Sequence, residues 1–177
     1  MAGVDDADGP PLRRQCGLIF VSVGTQLPFD RLIRAVDQWA AATGRTDVFA
    51  QIGPGKYRPD HVEWRQFVEP AEFQRRVQAC DVLVAHAGMG SILTALAAGK
   101  PLLVLPRRAA LGEHRNDHQL ATAERFAARG LVHAARDEQD LREQLDRIDD
   151  LRPAGERISP FAEERLLERL RRFVAES

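Results

Sequence analysis

Short, largely apolar runs alternate with amphipathic segments along most of this chain, and this alternation restricts the fold more than any other feature. Residues 18–23 and 81–85 lack the every-second-residue polarity of a strand that is buried on one face only. Residues 30–42 instead place apolar side chains at helical spacing, and Gly44 follows as a helix-ending glycine. Strands that alternate with helices predict an α/β fold, here a Rossmann-like doubly wound parallel sheet with right-handed crossovers.

The same reading places further elements along the chain. It predicts strands at 47–52, 62–67, 101–105 and 131–134, and helices at 69–79, 91–98, 117–129, 137–148 and 161–174. The strand at 62–67 alternates apolar with polar residues, which is typical of a position near a sheet edge. We therefore expect a disordered tail over 1–16, one domain over 17–150, and a linker with a C-terminal helix over 151–177.

Composition excludes several classes of protein. The chain has 25 Lys and Arg against 26 Asp and Glu, a net charge of −1, so it lacks the bulk basicity of a nucleic-acid-binding protein. Residues 82–99 are uncharged, but a glycine loop interrupts them, which favours a buried strand and helix over a membrane span. No signal peptide is visible, and we expect a cytoplasmic location.

Cysteine and histidine spacing predicts no bound metal and no cofactor. The only two cysteines, Cys16 and Cys80, make neither a disulfide framework nor a zinc site. His114 and His118 are four residues apart, but no third ligand stands at a suitable spacing and the order of a metalloprotease motif is absent.

Three loops follow the carboxyl ends of predicted strands, where ligands bind in open parallel sheets: 24–26, 86–91 and 106–119. In the second loop, Gly88 and Gly90 would let a ligand approach the backbone. The N–H groups of Gly90, Ser91 and Ile92 would then meet an anion, best a phosphate. The alternative is a glycine turn needed only for packing. Leu93 stands where a dinucleotide fingerprint requires glycine, and no P-loop lysine is present.

The other two loops carry weaker signals. Gly24 and Thr25 could line the same crevice, although an ordinary strand-to-helix turn explains them equally well. Asn116, His118 and Gln119 offer the donors and acceptors that sugar hydroxyls need. The alternative for that segment is a solvated helix start capped by Asn116 or Asp117.

Taken together, the loops resemble a known family. HAGMGSILTALAAGKP from residue 86 and NDHQ at 116–119 resemble the glycosyltransferase family 28 C-terminal domain, the donor-binding half of GT-B enzymes. FVSVGTQLPFD from residue 20 is similar to the small soluble subunits of two-component glycosyltransferases in eukaryotic N-glycan lipid synthesis and bacterial exopolysaccharide assembly. The stretch 106–119 is most like the bacterial exopolysaccharide type.

The resemblance implies a single GT-B C-terminal half that binds a UDP-sugar donor. It implies that Gly88, Met89, Gly90 and Ser91 hold the diphosphate, next to His86 at the head of the motif. Asn116, His118 and Gln119 would lie on the sugar side, with His118 and Gln119 contacting it, and Gly24 and Thr25 would close the crevice. Thr94 stands where the peptidoglycan enzyme of this family carries a ribose-binding Glu, so ribose recognition would differ.

The resemblance also implies a partner. One domain is about half of a GT-B enzyme, so the acceptor and the catalytic base would lie on a membrane-attached subunit, which would recruit this chain to the inner face of the plasma membrane. We expect a metal-independent, inverting sugar transfer to a lipid-linked acceptor, with docking through the C-terminal helix or the rim near Arg107 and Arg108. The alternative is a non-catalytic nucleotide-sugar-binding or scaffold subunit.

Overall fold

The computed structural model describes residues 17–154, which form a sheet of six parallel strands with helices on both faces. The strands are β1 (Ile19–Ser22), β2 (Val48–Gln51), β3 (Glu63–Arg65), β4 (Val82–His86), β5 (Leu102–Leu105) and β6 (His133–Ala134). The helices are α1 (Asp30–Thr43), α2 (Pro70–Ala79), α3 (Met89–Ala98), α4 (His118–Ala127) and α5 (Glu138–Leu145). Two 3₁₀ turns, Ala109–Leu111 and Ile148–Asp150, complete the described part.

The strand order is β3-β2-β1-β4-β5-β6, and every pair is parallel. The order reverses between β1 and β4, which pair with Ile19 opposite Val82. In an open parallel sheet, the loops after the two strands at such a reversal diverge to opposite faces and leave a crevice. The fold is therefore a doubly wound, Rossmann-like parallel sheet, as the sequence predicts.

Two apolar layers hold the helices to the sheet. One packs α1 and α5 against the side chains of Ile19, Val21, Val48 and others on one face. The second packs α2, α3 and α4 against the opposite face, around Phe20 and Phe49. Successive residues of β1 thus point into different cores, which explains why the strand carries apolar residues on both faces.

The predicted element boundaries hold to within a few residues, with one difference that matters for the site. The edge position of β3 and the left-handed glycine that ends α1 (Gly44) are confirmed, and Gly99 ends α3 in the same conformation. However, α3 begins at Met89 rather than at Ser91, because the Ile92 N–H already donates to the Gly88 carbonyl over 3.1 Å. The predicted tail 1–16 and the predicted helix 161–174 lie outside the described residues.

Across residues 17–154, no helix combines the length and apolar character that a membrane crossing requires.

Candidate functional site

A cleft of about 590 Å³ opens at the carboxyl ends of β1 and β4, at the point where the strand order reverses. Of the ten residues that the sequence assigns to the donor site, nine line this cleft: Gly24, Thr25, His86, Gly88, Met89, Gly90, Ser91, His118 and Gln119. Residues from three separate loops therefore meet in one place, as the position of loops after parallel strands predicts.

Asn116 does not line the cleft. It is exposed, and its Oδ1 atom contacts Nδ1 of His118. Asp117, the other candidate cap of α4, occupies the N-cap position without a side-chain capping bond. Its carboxylate instead accepts a hydrogen bond from the Ala109 N–H over 2.8 Å, which ties the start of α4 to the loop after β5.

The first turn of α3 forms one wall of the cleft. Because Ile92 donates to Gly88, the first-turn N–H groups without an intrahelical acceptor are those of Met89, Gly90 and Ser91. The expected set of Gly90, Ser91 and Ile92 was therefore wrong by one residue. These N–H groups and the positive end of the helix dipole are suited to binding an anion.

The His86 imidazole lies between two glycine backbones. A Cβ on Gly24 would stand 2.9 Å from Cε1 of His86, and a Cβ on Gly88 would stand 2.2 Å from its Nε2. Gly24 also has φ of 79°, a conformation that residues with a side chain rarely adopt. With the His86 ring in this position, packing alone explains glycine at both positions, and the ligand explanation stays a prediction.

His86 is neutral at physiological pH. Burial and, second, the positive charge of Arg107 lower the pKa of this histidine to about 4. Its Nδ1 atom is buried and has no hydrogen-bond partner among the described residues.

Gly90 behaves differently from Gly88. A Cβ at this position would meet nothing within 4 Å, and its φ is not positive. The glycine is therefore not needed for packing here, and a larger side chain would project into open space beside the first turn of α3.

Arg107 is a residue of the cleft that the sequence analysis misassigned. We expected it on a partner-docking rim, but it is only 4% exposed and lines the cleft. Its Nη2 donates to the carbonyls of Val23 (2.9 Å) and Leu27 (2.7 Å), and its guanidinium lies 4.9 Å from the centroid of the Phe29 ring. Burial lowers the pKa of Arg107 to about 10, so the group stays charged at neutral pH.

Gln51 is a second residue that the sequence analysis missed. It is buried at the end of β2, where its Nε2 donates to the Gly24 carbonyl over 3.4 Å and its Oε1 accepts from the Val68 N–H over 3.1 Å. A polar residue at the end of an apolar strand was the available signal. Gln51 joins the loop after β1 to the segment before α2.

The side chain of Gln119 lines the cleft and also accepts a hydrogen bond from the protein backbone. Its Oε1 accepts from the backbone N–H of Arg107 over 3.2 Å, which leaves the amide nitrogen as the donor end of the side chain. His114 also lines the cleft, and its ring packs edge-on against His118 with 4.5 Å between centroids.

An ion-pair network fixes the loop after β5. Glu113 accepts two bonds from Arg31, at 2.7 and 2.8 Å, and one from the Arg108 backbone N–H at 3.0 Å. Arg31 also donates to the Pro106 carbonyl and to Glu138. This loop carries His114 at one side of the cleft, so its conformation matters for the site.

The ionisable side chains in the described lining of the cleft are all basic. Its ionisable side chains are Arg107 and three histidines, and none of the described residues in the lining is Asp or Glu. Nor does any group of three or more His, Cys, Asp or Glu between residues 17 and 154 have the arrangement needed to hold a metal ion. A cationic cleft without carboxylates is suited to an anionic ligand.

Comparison with known proteins agrees with this geometry. The sequence model of the glycosyltransferase family 28 C-terminal domain matches residues 18–165. The human UDP-N-acetylglucosamine transferase subunit ALG13 is 31% identical over 122 residues, which are 63% of this chain and 10% of that protein. The chain thus spans about a tenth of the length of this curated relative.

Solved structures share the fold. The calicheamicin glycosyltransferase CalG4 superimposes with a TM-score of 0.56 at 24% identity, over 93% of this chain and 38% of that one. The solution structure of ALG13 gives a TM-score of 0.56 at 22% identity, over 86% of this chain and 94% of that one. With a family match over most of its length and the fold of glycosyltransferase domains, the chain belongs to the glycosyltransferase family 28 C-terminal domain family.

Proposed function

We propose that this chain binds a UDP-sugar and acts as the donor-binding subunit of a two-component glycosyltransferase. The observation that carries the proposal is the first turn of α3, whose N–H groups border a cleft lined by cationic and neutral side chains only. Family membership supports sugar transfer, and the name of the human relative supports a UDP-sugar as the donor.

The diphosphate would lie against the N–H groups of Met89, Gly90 and Ser91. When the sugar leaves, negative charge builds up on the phosphate that carried it. Fixed N–H dipoles that already point at that position stabilise this charge without rearranging, which is the usual source of the largest catalytic effect. We propose that these dipoles, rather than a metal ion, stabilise the departing UDP in an inverting transfer.

The acceptor would be bound by a second subunit. The chain spans 38% of CalG4, so a complete enzyme of this fold has a further portion of comparable size or larger. Deprotonation of an acceptor hydroxyl needs a base; the described lining of the cleft offers histidines but no carboxylate, and burial lowers the pKa of His86 to about 4, which makes it a weak base. We propose that a membrane-attached partner supplies the base, binds a lipid-linked saccharide in exopolysaccharide synthesis and recruits this chain to the inner face of the plasma membrane.

A second candidate is a non-catalytic subunit that binds a nucleotide sugar, which the described lining also fits because it contains no carboxylate. The two candidates share the donor site and differ only in chemistry. Co-purification with the partner in mild detergent, followed by transfer of labelled sugar to a lipid acceptor, separates them: binding with no transfer by the assembled pair would favour the non-catalytic subunit.

Donor binding is tested by thermal unfolding of the purified chain with UDP, UDP-glucose, UDP-glucuronate, UDP-N-acetylglucosamine, GDP and NAD. A ligand that binds only the folded state at ~100 times its Kd adds ~2.7 kcal/mol of stability. We expect UDP compounds to raise the melting temperature and NAD to leave it unchanged. Equal shifts with UDP and GDP would contradict uridine specificity, and no shift with any nucleotide would contradict donor binding by this chain.

A further inference from the structure

We propose that Arg107 is the positioning residue of the diphosphate site: it holds the loop that carries Gly24 and Thr25 and keeps a positive charge, without an ion-pair partner among the described residues, behind the cleft. This inference rests on the proposed function for the identity of the ligand. The geometry itself is independent of that proposal, because it concerns a buried cation and the two backbone carbonyls that it joins.

Arg107 fastens both ends of one loop. Its Nη2 atom donates to the carbonyl of Val23, the last residue before Gly24, and to the carbonyl of Leu27, four positions after Val23. The loop of Gly24, Thr25 and Gln26 lies between these two anchors and lines the cleft. One planar guanidinium nitrogen therefore sets the path of the backbone beside the first turn of α3.

The backbone of the same residue also contacts the opposite wall. The Arg107 backbone N–H donates to Oε1 of Gln119, the first buried residue of α4. Arg107 thus joins the loop after β1 to the start of α4, across the cleft. Displacement of this residue would move both walls.

The charge of Arg107 is only partly balanced by the protein, through the more distant carboxylate of Glu113. In the described part of the chain, no carboxylate forms an ion pair with it, and its buried Nε has no hydrogen-bond partner. The nearby Glu113 is already bound by Arg31 and by the Arg108 backbone. A buried cation is unfavourable unless it is paired, so a diphosphate in the cleft would supply the missing negative charge.

The test compares the affinity of the full chain for UDP, inorganic pyrophosphate and uridine by calorimetry. Arg107→Met removes the charge and the N–H donors of the guanidinium group but keeps a long apolar side chain. Arg107→Lys keeps the charge but not the planar guanidinium group. Arg108→Met is the matched control, because it removes the neighbouring arginine, which does not line the cleft. Melting curves of each variant verify folding.

We expect Arg107→Met to weaken binding of UDP and pyrophosphate roughly tenfold or more, the size of a lost charged interaction, and binding of uridine by less than about threefold. Arg107→Lys should fall between Arg107→Met and the wild type, and Arg108→Met should match the wild type. Where Arg107→Met does not fold, Arg107→Lys decides alone: an affinity for UDP equal to that of the wild type would overturn the proposal.

The outcomes for Arg107 and for the proposed function are distinguishable. Unchanged UDP affinity in Arg107→Met, or an equal loss for uridine, overturns the role of Arg107 and leaves donor binding intact. Pyrophosphate binding that depends on Arg107, in a chain that binds no UDP, supports the anion site and overturns the nucleotide-sugar function. A wild-type chain that binds neither pyrophosphate nor UDP overturns both.

Discussion

The Nε2 atom of His86 lies 2.2 Å from the point where a Cβ on Gly88 would stand. A real Cβ essentially never shows such a distance, so the last residue of β4 and the N-cap residue of α3 keep their present positions only with glycine at position 88. The two residues together determine how α3 leaves the sheet and where its first-turn N–H groups point.

Gly88→Ala should therefore displace either the His86 ring or the start of α3. We expect the free energy of unfolding to fall by about 1–3 kcal/mol, as for other overpacked sites, and UDP binding to weaken. His86→Ala removes the ring, so the double variant should be more stable than the sum of the two single effects predicts. Chemical denaturation of all four proteins measures this coupling; an additive cycle, within about 0.5 kcal/mol, would contradict the packing argument.

Gly90→Leu should separate ligand binding from folding. Because a side chain at position 90 meets open space, we expect stability to stay within about 1 kcal/mol of the wild type. The Leu side chain would cover the first-turn N–H groups, so UDP binding and any transfer activity should be lost. Ala97→Leu, a similar enlargement at an exposed position of α3, is the control and should bind UDP normally. Full turnover by Gly90→Leu would exclude the anion site at this turn.

The sequence was sufficient for the fold class, the strands and most of the residues that line the cleft, because these depend on local patterns. Apolar runs identify the strands, and the topology of parallel sheets places the ends of β1, β4 and β5 at one edge. The glycine-rich loop before α3 could be recognised from residues 86–91 alone. Only the start of α3 was wrong, by two residues, because a glycine at position 90 is typical of a loop and here lies inside the helix.

The burial of Arg107 could not be read from the sequence. Two consecutive arginines in a polar loop are typical of a solvated rim. The bonds that bury the first of them join residues 84 and 80 positions apart in the chain, to backbone carbonyls that carry no sequence signature. Gln51 escaped notice for the same reason: its partners Gly24 and Val68 lie on other elements.

Stability should depend on pH through His86. Burial, with the charge of Arg107, lowers the pKa of His86 from 6.5 to about 4, so between these values the unfolded chain binds a proton that the folded chain does not. Stability is therefore lost as pH falls from about 6.5 towards 4, by an amount on the order of 3 kcal/mol. Urea unfolding at a series of pH values measures the slope. His86→Gln should reduce the slope of the free energy of unfolding against pH by the equivalent of about one bound proton. An unchanged slope would contradict the assignment to His86.

The two carboxylates bound to Arg31 should contribute unequally, although they share one cation. The Arg31 and Glu113 side chains are only 11% and 12% exposed and form two bonds, whereas Glu138 is 42% exposed and forms one bond of 3.2 Å. Burial of a pair makes the loss of one partner expensive, while an exposed pair is worth less than about 1 kcal/mol.

Glu113→Gln should therefore lower the free energy of unfolding by about 1–3 kcal/mol, and Glu138→Gln by less than about 0.5 kcal/mol. The neutral amide keeps the shape of the carboxylate, so the difference reports charge rather than packing. Urea unfolding at neutral pH and low salt measures both variants, and amide exchange over residues 107–117 shows whether the loop after β5 loosens. Equal effects of the two variants would mean that the Arg31–Glu113 pair is not the contact that fixes this loop.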